Sequence, residues 1–342
     1  MRASDDGTGH RASSHAQAAG FPFIDNIRGG GDDPGLGQIG VPAAGQVSAQ
    51  TAASIPDFSG IWGYPYLPGF EPPVSGPGPV VNKSRRRQVF GTDGPFAPGT
   101  NAPLVSDNRQ YVGDYTNPIL KPRAAEAVTK QGEIELSGVS APIPSSQCWP
   151  EPVPYIFWNL GMQLLQQPGK VTILYDEDDE VRHVRMNETH PVYVTPSWHG
   201  DSVGHYEGET LVIDTVGVKT DRPFAMVDVY GTPYTEALHV VERYRLVDYE
   251  VAKEAQERGA KENFRLQGAA EGWAPDPRYK GKGLQLHFTV EDEGVFTAPW
   301  SATITYRRAL ATEWPEVVCA ENTHQYYAGK DTEVPRADKP DF

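Results

Sequence analysis

The chain has 342 residues, a formal net charge of −15, 35 glycines, 31 prolines and only 4 methionines. That acidity argues against nucleic acid and anionic membrane surfaces as partners, because affinity for phosphate rests on lysine and arginine. A turn-dense, Gly- and Pro-rich composition excludes a helical bundle and suits a β protein, and no apolar run approaches the roughly 18 residues of a membrane span.

Residues 1–55 are rich in Gly, Ala, Ser and Gln with almost no apolar periodicity, so they read as a disordered tail or one ordered by a partner. The first twenty residues lack the apolar core of a signal peptide. From Pro56 the segment 56–147 opens with PDFSGIW and continues through PYLPGFEPPVSGPGPVV, where recurrent proline forbids long helices and favours extended paths. It is expected to wrap the domain as an N-terminal belt anchored by Phe58, Ile61 and Trp62, with the basic run Lys83, Arg85, Arg86 and Arg87 as a solvated turn. One helix is predicted over RAAEAVTKQ at 123–131.

Strands then dominate. VTILYD (171–176), EVRHVRM (180–186), TLVIDTV (210–216), ALHVVERYRLV (237–247), LQLHFTV (284–290) and WSATITYRR (300–308) are β-branched or alternating runs bounded by turn residues. DEDD after the first and EGE before the third read as hairpin connections. Short spacing without helical crossovers predicts an antiparallel sheet closing into a barrel or sandwich, with 56–342 as a single domain. Residues 249–283 interrupt the pattern as a partly helical insertion in which no strand fits, and could carry a lid, an interface or no function.

Period two sorts the strand faces. Leu238, Val240, Glu242, Tyr244 and Leu246 share one face, and His239, Val241, Arg243 and Arg245 the other. The apolar side is core or cavity wall. The polar side, with His183, His287 and Arg307, is either the barrel exterior or a cavity in which cations would fix a carboxylate or phenolate.

Four of the nine histidines lie between His190 and Arg245. His190, His199, Asp201 and His205 have metal-donor chemistry, but their spacing is loose and no HExxH, HxH or acidic loop is present, so neither a metal nor a cofactor is implied. Ser197 and Ser202 lack a GxSxG turn. General acid–base chemistry fits better, with His190, His199 and His239 as the proton-transfer candidates and Asp201 or Asp214 as orienting group. Trp198, His205, Tyr206, Asp214 and Arg243 are the candidate ligand contacts. Cys148 and Cys319 form neither a CxxC pair nor half a zinc knuckle, and whether they bridge depends on the compartment.

PDFSGIW, PGKVTILYD, the His190-Pro191 pair, SWHGDSVGHYEGETLVIDTVG, EALHVVERYR, FTVEDEGVFTAPW and VVCAEN, in that order across residues 56–325, resemble a widespread family of uncharacterised, usually exported bacterial proteins. That family has a DLSGVW-like start and a WEGDTLVVDT-like hairpin. The resemblance implies a lipocalin-like β-barrel around a small cavity, a periplasmic or secreted location and, with export, a Cys148–Cys319 bridge; it implies no activity. Tyr206 stands where the family has Trp, the 249–283 insertion is a departure, and the export signal is missing from the sequence as given. Three functions are open: an enzyme of lyase, isomerase or hydrolase type with a His/Asp pair in an apolar barrel cavity, a carrier of an apolar or aromatic molecule, and an accessory subunit docking a protein partner or second copy through 1–55 or 249–283.

Overall fold

The computed structural model describes residues 55–67, 69–83, 111–137, 141–265, 272–314 and 319. The tail, apart from Ile55, and the three arginines at 85–87 lie outside the described residues. The barrel strands are β1 (Gly60–Gly63), β3 (Gly161–Gln167), β4 (Lys170–Tyr175), β5 (Val181–Met186), β6 (Asp201–Glu207), β7 (Thr210–Val216), β8 (His239–Val247), β10 (Gly283–Glu291) and β11 (Trp300–Arg308). They close in the order β1, β11, β10, β8, β7, β6, β5, β4, β3. A separate two-stranded ribbon pairs β2 (Tyr66–Leu67) with β9 (Phe264–Arg265), and the helices are α1 (Pro122–Ser137) and α2 (Tyr249–Glu262).

Each barrel strand pairs antiparallel with its neighbour except one: β5 and β6 run parallel, through Arg185↔Val203 and Met186↔Gly204. A parallel pair cannot be joined by a hairpin, so the chain must travel back along the barrel before entering the second strand. Residues 187–200 make that return without a helix. This crossover carries His190, Trp198 and His199, which is why the candidate residues gather here.

The alternation is realised as period two demands. Arg182, Val184 and Met186 of β5 point inward, as do Val240, Glu242 and Tyr244 of β8, and the even-numbered residues 284–290 of β10 are wholly buried. Opposite them on β11 stand Trp300, Ala302, Ile304 and Tyr306. Phe157 meets Phe288 with ring centroids 5.0 Å apart, and Phe288 meets Trp300 at 5.9 Å, so aromatic rings from outside the wall join the core. The belt anchors divide: Phe58 and Trp62 enter the main core, with the Trp62 indole N–H donating to the Phe58 carbonyl at 2.8 Å, while Ile61 packs with Leu160, Trp273 and Ala309.

Several expectations need correction. The sheet is not wholly antiparallel, because of β5 and β6. Strand β3, GMQLLQQ, escaped the propensity reading because of its glutamines, yet Met162 and Leu164 alternate inward between β1 and β4. Helix α1 runs beyond 131 to Ser137, since Ala124, Val128, Gly132 and Glu135 keep one buried stripe. The insertion does hold a strand, β9, and its helix lies against the barrel wall: Gln256 donates to the carbonyls of Gly63 at 2.8 Å and Thr305 at 3.3 Å. Of the two places open to the polar set, the exterior holds: His183 is exposed and Arg307 packs over the Tyr249 ring at 5.1 Å. Cys148 and Cys319 are bridged, with Cα atoms 5.5 Å apart.

Candidate functional site

The crossover lies against the outer wall through a ladder of alternating basic and acidic side chains. Arg185 of β5 hydrogen-bonds both oxygens of Asp201, at the start of β6. His190 then bridges two strands, its Nδ1 2.7 Å from Asp201 Oδ2 and its Nε2 3.0 Å from Asp214 Oδ1. His239 of β8 approaches the same Asp214 oxygen at 3.1 Å, with its Nδ1 3.5 Å from Glu291. The bond from Arg185 holds the Asp201 carboxyl below its ordinary range, and the bond from His239 does the same for Asp214. Asp214 in turn holds His239 above its usual value. Each ring nitrogen of His190 thus faces a carboxylate oxygen, a group that only accepts.

Four predicted site residues, His190, Asp201, Asp214 and His239, are therefore brought together, but on the outer wall rather than inside the barrel. His199 does not join them. Strand β6 begins at Asp201, and the tight turn at Gly200, with φ +73°, sends the His199 ring elsewhere.

The His199 ring enters a second cluster at the barrel end where β5 and β6 begin. Its Nε2 lies 3.6 Å from Glu180 Oε2, and Glu180 Oε1 accepts the Glu151 backbone N–H at 2.7 Å. Trp198 meets Trp149 edge to face at 5.4 Å, and its ring is flanked by the Arg222 guanidinium at 4.6 Å and Lys219 Nζ at 5.1 Å. Arg222 Nη2 donates to the Pro150 carbonyl at 2.6 Å. Tyr234, donating to the Lys219 carbonyl at 2.7 Å, faces the same guanidinium.

Burial sets the protonation states. It pushes the Glu180 carboxyl up to about 8, Asp176 up to about 8 and Glu177 up to about 7, and raises Glu151 with help from neighbouring carboxyls. Burial, reinforced by the Arg182 charge, pushes His199 down to about 4. At neutral pH a neutral imidazole thus faces a protonated carboxylic acid. Burial thus drives the two groups in opposite directions.

Between these groups and the core lies a network absent from the predicted set. Arg182 is 1% exposed and Glu242 is wholly buried. Arg182 Nη1 and Nη2 reach Glu242 at 3.0 and 2.5 Å, Nη2 also donates to Thr215 Oγ1 at 2.6 Å, and Nε donates to Ser202 Oγ at 3.1 Å. The signal was in the sequence: Glu242 falls on the apolar face of β8, and Arg182 alternates with Val184 and Met186.

The other predicted contacts lie apart. His205 is exposed and pairs with Glu207 at 3.1 Å, and Arg243 Nη1 binds the other Glu207 oxygen at 2.6 Å. Tyr206 accepts from Gln166 Nε2 at 2.9 Å. Among the described residues no group of three or more His, Cys, Asp or Glu is arranged to hold a metal ion. No family model, curated protein or solved structure matches the chain.

Proposed function

We propose that the protein is a small-molecule enzyme that transfers protons, of the isomerase or lyase class, with His199 as base and Glu180 as acid. One observation carries the reading. Five buried polar atoms in one cluster, Glu151 Oε2, Glu180 Oε2, His199 Nδ1 and the Nε and Nη1 of Arg222, have no hydrogen-bonding partner in the protein. Each such atom costs about 1–3 kcal/mol, and a ligand with complementary groups would recover that cost. The Trp198 ring covers Arg222 at 4.6 Å, and in this reading it moves aside to admit the ligand. Solvent reaches the edge of the cluster at the His199 side chain, which is 21% exposed.

In this reading His190, Asp201, Asp214 and His239 are positioning residues. Both nitrogens of His190 are engaged by carboxylates, which leaves neither open to a substrate, and the ladder fixes the crossover that presents Trp198 and His199. The wall is lipocalin-like in outline, with the site at a barrel end instead of the interior. The Cys148–Cys319 bridge supports an oxidising compartment, periplasmic or secreted.

The test is deuterium exchange from D2O into a panel of enolisable ketones and β-hydroxy acids, followed by NMR. Exchange dependent on the wild-type protein should fall by roughly 100- to 10,000-fold in His199→Gln and Glu180→Gln. No wild-type-dependent exchange across the panel, or full activity in His199→Gln, removes the enzyme reading.

A further inference from the structure

We infer that the Arg222 end of this cluster takes the carboxylate of a small organic acid with an apolar body. The inference rests on reading the cluster as a ligand site and adds the class of ligand. Arg222 is 8% exposed; its Nη2 donates to the Pro150 carbonyl at 2.6 Å, and the Tyr234 hydroxyl stands beside the guanidinium as a neutral partner. Its Nε and Nη1 are buried and unpartnered. A guanidinium cannot shed its charge to escape burial, and an unpaired buried charge is among the more costly arrangements a protein holds.

The neighbouring acids relieve it only through space. Burial raises the carboxyls of Glu180 and Glu151, and neither makes a hydrogen bond to Nε or Nη1. His199 is neutral at pH 7. Arg222 is the buried cation of the cluster, and Lys219 Nζ lies 5.1 Å from the centre of the same Trp198 ring. One guanidinium with Nε and Nη1 open suits a singly charged oxyanion. The edge-to-face pair of Trp149 and Trp198 supplies an apolar wall for the rest of the molecule.

Such a ligand would bring the carbon next to its carboxylate, or the one beyond, toward His199 Nδ1 and Glu180 Oε2, both unpartnered. Arg222 would hold the acid, and the pair would handle its protons.

The probes are trans-cinnamate and its neutral isostere cinnamamide, titrated into the full chain at pH 7 with tryptophan fluorescence and calorimetry as readouts. Saturable binding of cinnamate is expected, with cinnamamide weaker by roughly tenfold or more, the scale of a lost charged hydrogen bond. Arg222→Gln should abolish that preference and Arg222→Lys retain part of it, with thermal melts reporting whether each variant folds. The acid-against-amide comparison on the wild-type protein needs no variant. Equal affinities, no saturable binding of cinnamate, or a preference that survives in folded Arg222→Gln overturns the inference. Inorganic phosphate competing as well as cinnamate would overturn the carboxylate class. Binding of cinnamate without deuterium exchange in any compound leaves this inference standing and sinks the enzyme in favour of a carrier. Exchange confined to neutral compounds does the reverse.

Discussion

Replacing Glu242 by Ala strips the counter-charge from a guanidinium that is 1% exposed. In the native barrel every N–H of Arg182 faces an acceptor, drawn from Glu242, Ser202, Thr215 and Tyr175, with distances between 2.5 and 3.4 Å. Burial alone would push the Arg182 guanidinium down, and the Glu242 charge beside it outweighs that and holds it up. Without Glu242 the arginine keeps only neutral acceptors, and the Tyr244 hydroxyl, which donates to Glu242 Oε2 at 2.9 Å, loses its partner. Breaking one side of a buried pair costs about 3–5 kcal/mol. For a domain of this size that lowers the melting temperature by roughly 6–20 °C.

The double replacement Arg182→Met with Glu242→Leu should be much milder than Glu242→Ala, near neutral or even stabilising, because similar apolar volume replaces the pair. Ser202 and Thr215 would still bond each other at 3.0 Å. Urea melts of the wild type, Arg182→Met, Glu242→Leu and the double variant measure the coupling. If the single effects add to that of the double within about 0.5 kcal/mol, the pair is not the unit described here and the argument fails.

Three further expectations concern the ladder, the site and the bridge. His190→Ala should raise amide hydrogen exchange across 187–200 without changing that of β8 and β10, at a cost near 1.5–3 kcal/mol for bonds to charged partners. In the wild type the same protection should have a plateau: the lowered Asp201 and Asp214 stabilise above the ordinary carboxyl value near ~3.9 and lose this as pH falls through their folded values. The raised His239 stabilises fully below ~6.5 and loses this as pH rises through its folded value. Glu180, raised to about 8, favours the folded state while protonated, so stability should fall as pH climbs toward 8, and Glu180→Gln should flatten that slope in pH-dependent melts. Reducing the Cys148–Cys319 bridge, which spans 171 residues, should remove up to roughly 5 kcal/mol on the loop-entropy estimate yet leave a folded barrel by circular dichroism.

The barrel was legible because alternation survives in its long strands: in β8, β10 and β11 each inward residue is apolar or, at Glu242, conspicuously not. What was hidden depended on partners far away in the chain. GMQLLQQ carries too many glutamines to read as a strand until β1 and β4 flank it, and β9 exists only by pairing with β2. The site shows the same limit. His190, Asp201, Asp214 and His239 could be grouped from the sequence, but nothing in their spacing tells that the ladder faces outward. Glu151, Glu180 and Arg222 were invisible as a group because segments 29 and 72 residues apart meet there, as the Glu151–Glu180 and Arg222–Pro150 bonds show.

The parallel pairing of β5 and β6 ties these observations into one chain of cause. Had the two strands formed a hairpin, Met186 would have led into β6 within a few residues, and no crossover would lie on the wall. Because the pair is parallel, the chain must return to the end where β5 began before it can enter β6. That return lays His190 across Asp201 and Asp214 midway and delivers Trp198 and His199 to the barrel end beside Glu180, the residue just ahead of β5. The ladder and the buried cluster are therefore two consequences of one register, so loosening the first should be felt at the second. His190→Ala ought to ease the movement of Trp198 off Arg222, and the cinnamate association rate, followed by stopped-flow tryptophan fluorescence, should rise while the equilibrium preference for acid over amide is unchanged. A slower association, or a lost preference, would mean that the ladder shapes the binding groups themselves and does more than tether the segment that covers them.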